Sequence, residues 1–285
     1  MATIKSYFEL MRFHKPIGIL LLLWPTLWAL WIAAKGFPSG KNLFIFIGGV
    51  VLMRAAGCVI NDFADRKLDP HVARTKLRPL AAGEIKPREA LILFLILCAL
   101  AFILVLFTNK LTIILAVFAL ITAIIYPFMK RHTYWPQFIL GVAFSFSVPM
   151  AFAAQTGKLF FVTGIVMAIN ILWTIAYDTQ YALVDRTDDI KIGIKSTAIL
   201  FGKNNQLIIG LFQGTVVALL CMLGFLLSFS IIYFSAVFIV FLLFIYQQRL
   251  IAQNNPEKCF RAFLNNQWVG LIVFVGILFS YVSFR

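Results

Sequence analysis

The chain has 285 residues, of which 62% are hydrophobic and 13% charged, with 30 phenylalanines and a formal net charge of +14. Soluble domains carry about 25% charged residues, and a globule of this length has too little interior for so much apolar surface, so a soluble protein is excluded. The basic residues are spread over the loops between apolar runs, and no DNA- or RNA-binding module is legible, so no nucleic-acid partner is expected; cationic loops that set membrane topology and meet anionic lipid account for the excess.

About 20 apolar residues cross the ~30 Å hydrocarbon core of a bilayer. Runs of that kind predict spans at 17–34, 43–60, 90–108, 111–129, 138–154, 159–177, 207–228, 229–246 and 268–284. The first follows Lys15, is too long for a signal-peptide core and reads as a retained helix. The uncharged stretch Leu207–Tyr246 is 40 residues long. As one helix it would measure about 60 Å, so two helices with a tight turn near Ser228–Ser230 are expected. The fold class is therefore all-α: a polytopic membrane protein with nine transmembrane helices, forming a single domain over 1–285.

Lys and Arg fix the orientation. With the N-terminus cytoplasmic, nineteen basic residues fall in the inner segments and five in the outer ones (Lys35, Lys41, Lys110, Lys158 and Arg285). Arg54 lies within a span, where a charge needs a polar partner or a ligand. All eleven carboxylates fall on the inner side, although they were not used to choose it. The two long inner loops, 61–89 and 178–206, are where a site can be built. The four cysteines (Cys58, Cys98, Cys221, Cys259) have no metal-ligand spacing and suit packing. His14, His71 and His132 are too far apart in sequence to suggest zinc.

Seven of the eleven carboxylates are packed into two windows at span ends: Asp62, Asp65 and Asp69, and Asp178, Asp185, Asp188 and Asp189. A lone aspartate there is ordinarily solvated and paired with nearby Lys or Arg, but clusters beside hydrocarbon mark function. If the second span continues as helix past Asn61, then Asp62, Asp65 and Asp69 share about 60° of arc. In the other cluster Asp178, Asp185 and Asp189 share about 40°, with Asp188 some 80° aside. Such stripes repel without a counter-charge, and Mg²⁺, which takes oxygen ligands and is shared with substrate phosphates, supplies one. Two acid stripes, Mg²⁺ and a diphosphate make a balanced set that Arg66, Arg74, Lys130, Arg131 and Lys195 would complete. A weak internal repeat, in which spans two and six each run into an acidic cluster and a basic loop, would bring the two clusters face to face.

The run Asn61-Asp62-Phe63-Ala64-Asp65-Arg66-Lys67-Leu68-Asp69 resembles the NDxxDxxxD signature of the UbiA superfamily of intramembrane aromatic prenyltransferases. Lys15-Pro16-Ile17-Gly18, Trp24-Pro25-Thr26-Leu27-Trp28, Met53-Arg54-Ala55-Ala56-Gly57-Cys58, Arg78-Pro79-Leu80 and Tyr126-Pro127-Phe128-Met129-Lys130-Arg131 are similar to segments of its 4-hydroxybenzoate polyprenyltransferase branch. So are Tyr177-Asp178-Thr179-Gln180-Tyr181-Ala182, Val184-Asp185-Arg186 and Lys191 through Ala198. The resemblance covers essentially the whole chain. It implies a ring of nine helices around a central cavity open to lipid. It also implies Mg²⁺-dependent transfer of a polyprenyl group from polyprenyl diphosphate to 4-hydroxybenzoate, ortho to the hydroxyl. The place is ubiquinone synthesis in the bacterial inner membrane, with the active site on the cytoplasmic side. The family motifs assign Asn61, Asp62, Asp65 and Asp69 to one metal–diphosphate site, and Asp185 and Asp189, helped by Asp178 or Asp188, to the other. Lys130 or Arg131 is expected to bind an anionic end, diphosphate or carboxylate, with Arg54 the competing candidate for the carboxylate. A different phenolic acceptor is the alternative within the class. A transporter is the alternative outside it, but the spans show no polar path to the outer side.

Overall fold

The computed structural model describes residues 3–72 and 74–282, with the side chain of His71 left aside, and among them there are helices and no strand. A short helix α1 (Ile4–Leu10) is capped by Thr3, whose hydroxyl accepts from the Ser6 amide at 3.2 Å. It leaves Ile4 and Phe8 exposed and ties itself to the loop at Glu84 through the Ser6 hydroxyl, at 2.7 Å. The spans then follow as α2 (Ile17–Ala34), α3 (Gly40–Asp65), α4 (Pro87–Leu106), α5 (Lys110–Met129), α6 (Pro136–Ser145) with α7 (Ser147–Thr156), α8 (Phe161–Lys191), α9 (Thr197–Phe201) with α10 (Asn205–Leu226), α11 (Ile231–Ile251) and α12 (Pro256–Val282). Among the described residues this makes nine segments long and apolar enough to cross a membrane. The predicted positions 283 and 284 of the last span, and Arg285, lie outside the described residues.

The helices close into a ring. Each span packs on the next in chain order, and α12 returns to α2. α4 and α5 are the least enclosed of these helices. The ring is densest where α2, α8 and α12 meet. There Trp28 stacks on Trp173 with ring centroids 5.4 Å apart, and the Trp28 indole donates to the Gly270 carbonyl at 3.0 Å. A side chain at Gly270 would meet Trp24 at 2.4 Å, so this approach of α12 to α2 requires glycine. On the inner side of that seam buried amides link four helices. Gln180 of α8 and Gln213 of α10 both donate to Gln247 of α11, at 3.0 and 2.8 Å. Asn266 of α12 donates to Gln180 at 3.0 Å and accepts from the Trp173 indole at 2.9 Å. The chain of amides fixes the rotation of α8, the helix that carries the second acidic cluster.

Three expectations are corrected, each for a local reason. Helix α3 stops at Asp65, and Asp69 opens a 3₁₀ turn, so the three carboxylates of the first cluster do not share one helical stripe. Pro70 bars any continuation of the α-helix: it has no N–H to bond the carbonyl of Arg66, four residues back, and it sits instead in the first turn of the 3₁₀ helix. The sixth span does not end near residue 177 but runs unbroken to Lys191, so the stripe of Asp178, Asp185 and Asp189 sits on continuous helix. The fifth span breaks at Phe146 into α6 and α7 because Pro149 disrupts the bond to Ser145.

Candidate active site

Two adjoining hollows open inside the ring. The larger, of about 740 Å³, is walled by apolar residues of α3, α4 and α5, among them Val50, Phe102 and Ala119, and carries Arg12, Arg54 and Asp62 at its polar end. The smaller, about 140 Å³, is lined by Asp65, Asp69, Asp185, Asp189, Lys130 and Lys195. Asn61, Arg74, Arg78, Tyr126, Asp178 and Tyr181 line both. The two acidic clusters, more than a hundred residues apart in sequence, thus face each other across one small chamber at the mouth of an apolar one.

The helix ends supply the acids, and the loop after α3 supplies most of their partners. Asp62, 2% exposed, accepts from Arg12 at 2.6 Å and Arg78 at 3.1 Å. Arg78 also bonds both oxygens of Asp69, at 3.1 and 3.0 Å, and so draws the loop back over α3 after the helix has ended. Thr75 pins the same turn by donating to the Asp69 carbonyl at 2.9 Å. Burial pushes the Asp69 carboxyl above the ordinary range, against the pull of Arg78. For the Arg12 guanidinium burial is the largest influence and works downward, but the charges of Asp62, Cys58 and Tyr181 and the hydrogen bond to Asp62 together outweigh it and hold the proton more firmly than usual. Arg12 itself has φ 58°, in the left-handed region where a non-glycine residue is strained; its two-residue reach from α1 to Asp62 depends on that turn.

Asp65 pairs with Lys130 and accepts from Asn61 at 3.3 Å, while its Oδ1 is buried with no hydrogen-bond partner. Across the chamber Arg74 forks onto both oxygens of Asp185 and donates to the Tyr181 hydroxyl, its guanidinium 4.4 Å above the Tyr181 ring. Asp178 and Asp189 face the chamber, and among the described residues neither has an ion pair. Lys195 lines it too, held by its amide on the Lys130 carbonyl at 2.9 Å. Among the described residues no three His, Cys, Asp or Glu side chains converge as a ready-made cage. The donors are nonetheless all oxygens, and the free Oδ1 of Asp65 lacks a partner. This suits a hard cation such as Mg²⁺, which keeps waters and shares substrate oxygens in place of an all-protein cage.

Three residues expected at the site line neither hollow. Arg66 turns back on α3, over the Phe63 ring at 4.4 Å and onto the Phe63 carbonyl at 2.7 Å. Asp188 points aside and pairs with Lys191 at 3.2 Å, as its angular offset on α8 requires. Arg131 binds the Ala64 carbonyl and reaches only 3.9 Å from Asp65. Arg54, by contrast, faces the larger hollow with its Nε buried and unpartnered and, among the described residues, no carboxylate within ion-pair distance. Sequence reasoning missed Arg12 and Arg78 as site residues. Arg78 opened one of the segments that carried the resemblance and was the available signal; nothing local marks Arg12.

A profile of the UbiA prenyltransferase family matches residues 22–279. The chain belongs to that family. Among proteins similar to this UbiA-family chain, a 4-hydroxybenzoate octaprenyltransferase of Coxiella burnetii (strain CbuK_Q154) is 54% identical over 278 residues, covering 98% of this chain and 97% of the relative. A 4-hydroxybenzoate octaprenyltransferase of Vibrio parahaemolyticus is 56% identical over 277 residues, covering 97% and 98%. The fold matches the apo structure of a UbiA homolog from Aeropyrum pernix K1 with a TM-score of 0.81 at 23% identity, over 94% of this chain and 98% of that one. It also matches a UbiA homolog from Archaeoglobus fulgidus, solved with GPP and Mg²⁺, with a TM-score of 0.75 at 18% identity, over 98% and 99%.

Proposed function

We propose that this protein transfers a polyprenyl group from polyprenyl diphosphate to the carbon of 4-hydroxybenzoate ortho to its hydroxyl, releasing diphosphate. The observation that carries the reading is the joined pair of hollows: facing carboxylates in a small polar chamber, opening directly onto a large apolar cavity. Relatives more than half identical across their full length bear the name of this activity. The apolar cavity takes the prenyl chain, and the chamber takes the diphosphate. Asn61, Asp62, Asp65 and Asp69 would hold Mg²⁺ on one side, and Asp178, Asp185 and Asp189 on the other. Bound there, Mg²⁺ neutralises charge on the departing diphosphate. Lys130, Arg74 and Arg78, fixed in place by the acids before substrate arrives, and Lys195, held on the His132 carbonyl, donate to the same oxygens, which is electrostatic preorganisation. The allylic C–O bond breaks, a C–C bond forms to the electron-rich ring, and the ring proton leaves to a motif aspartate or to the released diphosphate. The apolar walls keep water from the allylic cation. The reading places the chamber on the cytoplasmic side of a bacterial inner membrane, in ubiquinone synthesis, with the N-terminus cytoplasmic.

The test is purified protein in liposomes with an allylic polyprenyl diphosphate, 4-hydroxybenzoate and Mg²⁺. Prenylated hydroxybenzoate is expected, and none after EDTA until Mg²⁺ is restored. Absence of product across several chain lengths would remove this acceptor, and product that survives EDTA would remove the metal.

Arg54 is supported over Arg131 for the carboxylate because, of the two, it is Arg54 that lines the cavity, with no ion pair among the described residues and with its Nε unpartnered. Arg54→Ala is expected to raise KM for 4-hydroxybenzoate roughly 10- to 100-fold, the worth of a charge-assisted hydrogen bond of about 1.5–3 kcal/mol. KM for the prenyl diphosphate should change less than about twofold, because the group acts on the other substrate. Equal KM values for wild type and variant would return the carboxylate to Lys130 or Arg131.

A further inference from the structure

Gly18 is buried in the first turn of α2, where its backbone needs no glycine: its φ is ordinary, and in a helix glycine is about 1 kcal/mol worse than alanine. What occupies the missing side chain's space is Arg54. A Cβ on Gly18 would stand 2.2 Å from the Arg54 Nε, 2.3 Å from its Nη2 and 2.6 Å from its Cζ. All three atoms belong to the guanidinium, so the flat group of Arg54 rests directly on the α2 backbone. Its other contacts complete a slot. Nη1 donates to the Cys58 thiol one turn along α3 at 2.9 Å, and the Phe144 ring of α6 stands 6.0 Å from Cζ. The slot aims the guanidinium into the larger cavity, which Asp178 also lines, and among the described residues no carboxylate stands within ion-pair distance of it.

We propose that Gly18 is a positioning residue for the aromatic acceptor: its lack of a side chain is the shelf on which Arg54 lies, and that shelf sets where the acceptor's carboxylate is held. This rests on the reading of Arg54 given above. Any side chain at position 18 meets the far end of a flexible side chain, not backbone. The clash is therefore relieved by swinging the guanidinium away, which leaves the fold intact and the acceptor misplaced relative to the allylic carbon. Displacements of about an ångström in such settings cost on the order of 10²-fold in rate.

Gly18→Ala, Arg54→Ala, Arg54→Lys and Gly18→Ala/Arg54→Lys, assayed in liposomes with both substrates varied, test this. Gly18→Ala is expected to raise KM for 4-hydroxybenzoate about tenfold or more and KM for the prenyl diphosphate less than about twofold. Its melting temperature in detergent should be unchanged or higher, because alanine is the better helix former. Lysine has no guanidinium to collide, so in the Arg54→Lys background the same glycine change should have an effect under about twofold. The proposal is overturned if Gly18→Ala leaves the acceptor KM unchanged, raises both KM values alike, or has the same cost in the Arg54→Lys background. If Gly18→Ala alone proves too unstable to assay, Gly18→Ala/Arg54→Lys measured against Arg54→Lys decides: a change in acceptor KM above about twofold overturns the proposal. Arg54→Ala with an unchanged acceptor KM removes the underlying reading of Arg54 and this proposal with it. An impaired Arg54→Ala beside an unimpaired Gly18→Ala removes the shelf alone.

Discussion

Asp65→Asn is expected to lower kcat/KM by about 10³-fold or more, because it removes two things at once while keeping the side chain's shape. The first is the anionic oxygen that faces the polar chamber, proposed to hold the diphosphate; single preorganised electrostatic groups are worth about 10²–10³-fold in rate. The second is the partner of Lys130. Asp65 is 1% exposed, and its pair with Lys130 is the one ion pair on that amine. Breaking a buried pair from one side costs about 3–5 kcal/mol of stability, since the remaining charge has nothing to replace water. The two effects separate in Asp65→Asn/Lys130→Met. Removing both charges should recover most of the melting temperature lost by Asp65→Asn, while activity stays absent. Activity that returns in the double variant would mean that Asp65 serves only as the counter-ion of Lys130 and has no part in the chemistry.

Arg78→Met is expected to be nearly as damaging, lowering kcat/KM by about 10²-fold or more, although Arg78 touches only other protein groups here. It is the single cation shared by Asp62 and Asp69. Asp62 would keep Arg12, but Asp69 would be left buried beside a like charge with no partner. The turn that Arg78 draws back over the end of α3 would then open, and the chamber would lose a wall. Arg78→Lys keeps the charge without the planar fork that reaches two carboxylates, so it should recover folding more than activity. KM for the prenyl diphosphate and the melting temperature, measured on both variants, check this. Wild-type kcat/KM in Arg78→Met would show that Asp69 and its turn are dispensable.

The apolar runs alone located all nine spans, since length and hydropathy suffice for segments that must satisfy their own backbone in lipid. Helical angles also placed Asp178, Asp185 and Asp189 on one face of α8 and set Asp188 aside, as found. Pro70 was in plain view and showed that no α-helix runs on through it, but Asp69 precedes it, and nothing in the angular count told that α3 already ends at Asp65. Asp69 reaches the chamber by a different route, a loop closed by Arg78, and periodicity carries no information about such a closure. The choice of counter-ions was equally hidden. Arg66 and Arg131 adjoin the motif residues yet turn to backbone carbonyls, whereas Arg12 arrives from fifty residues upstream through a left-handed turn that composition does not announce.

The buried amides of the inner seam bear on how the protein is made. Gln180, Gln213, Gln247 and Asn266 belong to four different helices and satisfy one another only when all four are present. A polar amide facing lipid alone is costly. When α8 has been synthesised and α12 has not, the carbonyl of Gln180 and the indole of Trp173 lack their partner Asn266. The first acidic cluster can mature earlier, once α1, α3, the loop that follows and Lys130 at the end of α5 are in place. The helix that carries the second cluster has its buried amides satisfied only with the last helix, so the pairing of the two clusters across the chamber is expected to be fixed late in membrane insertion.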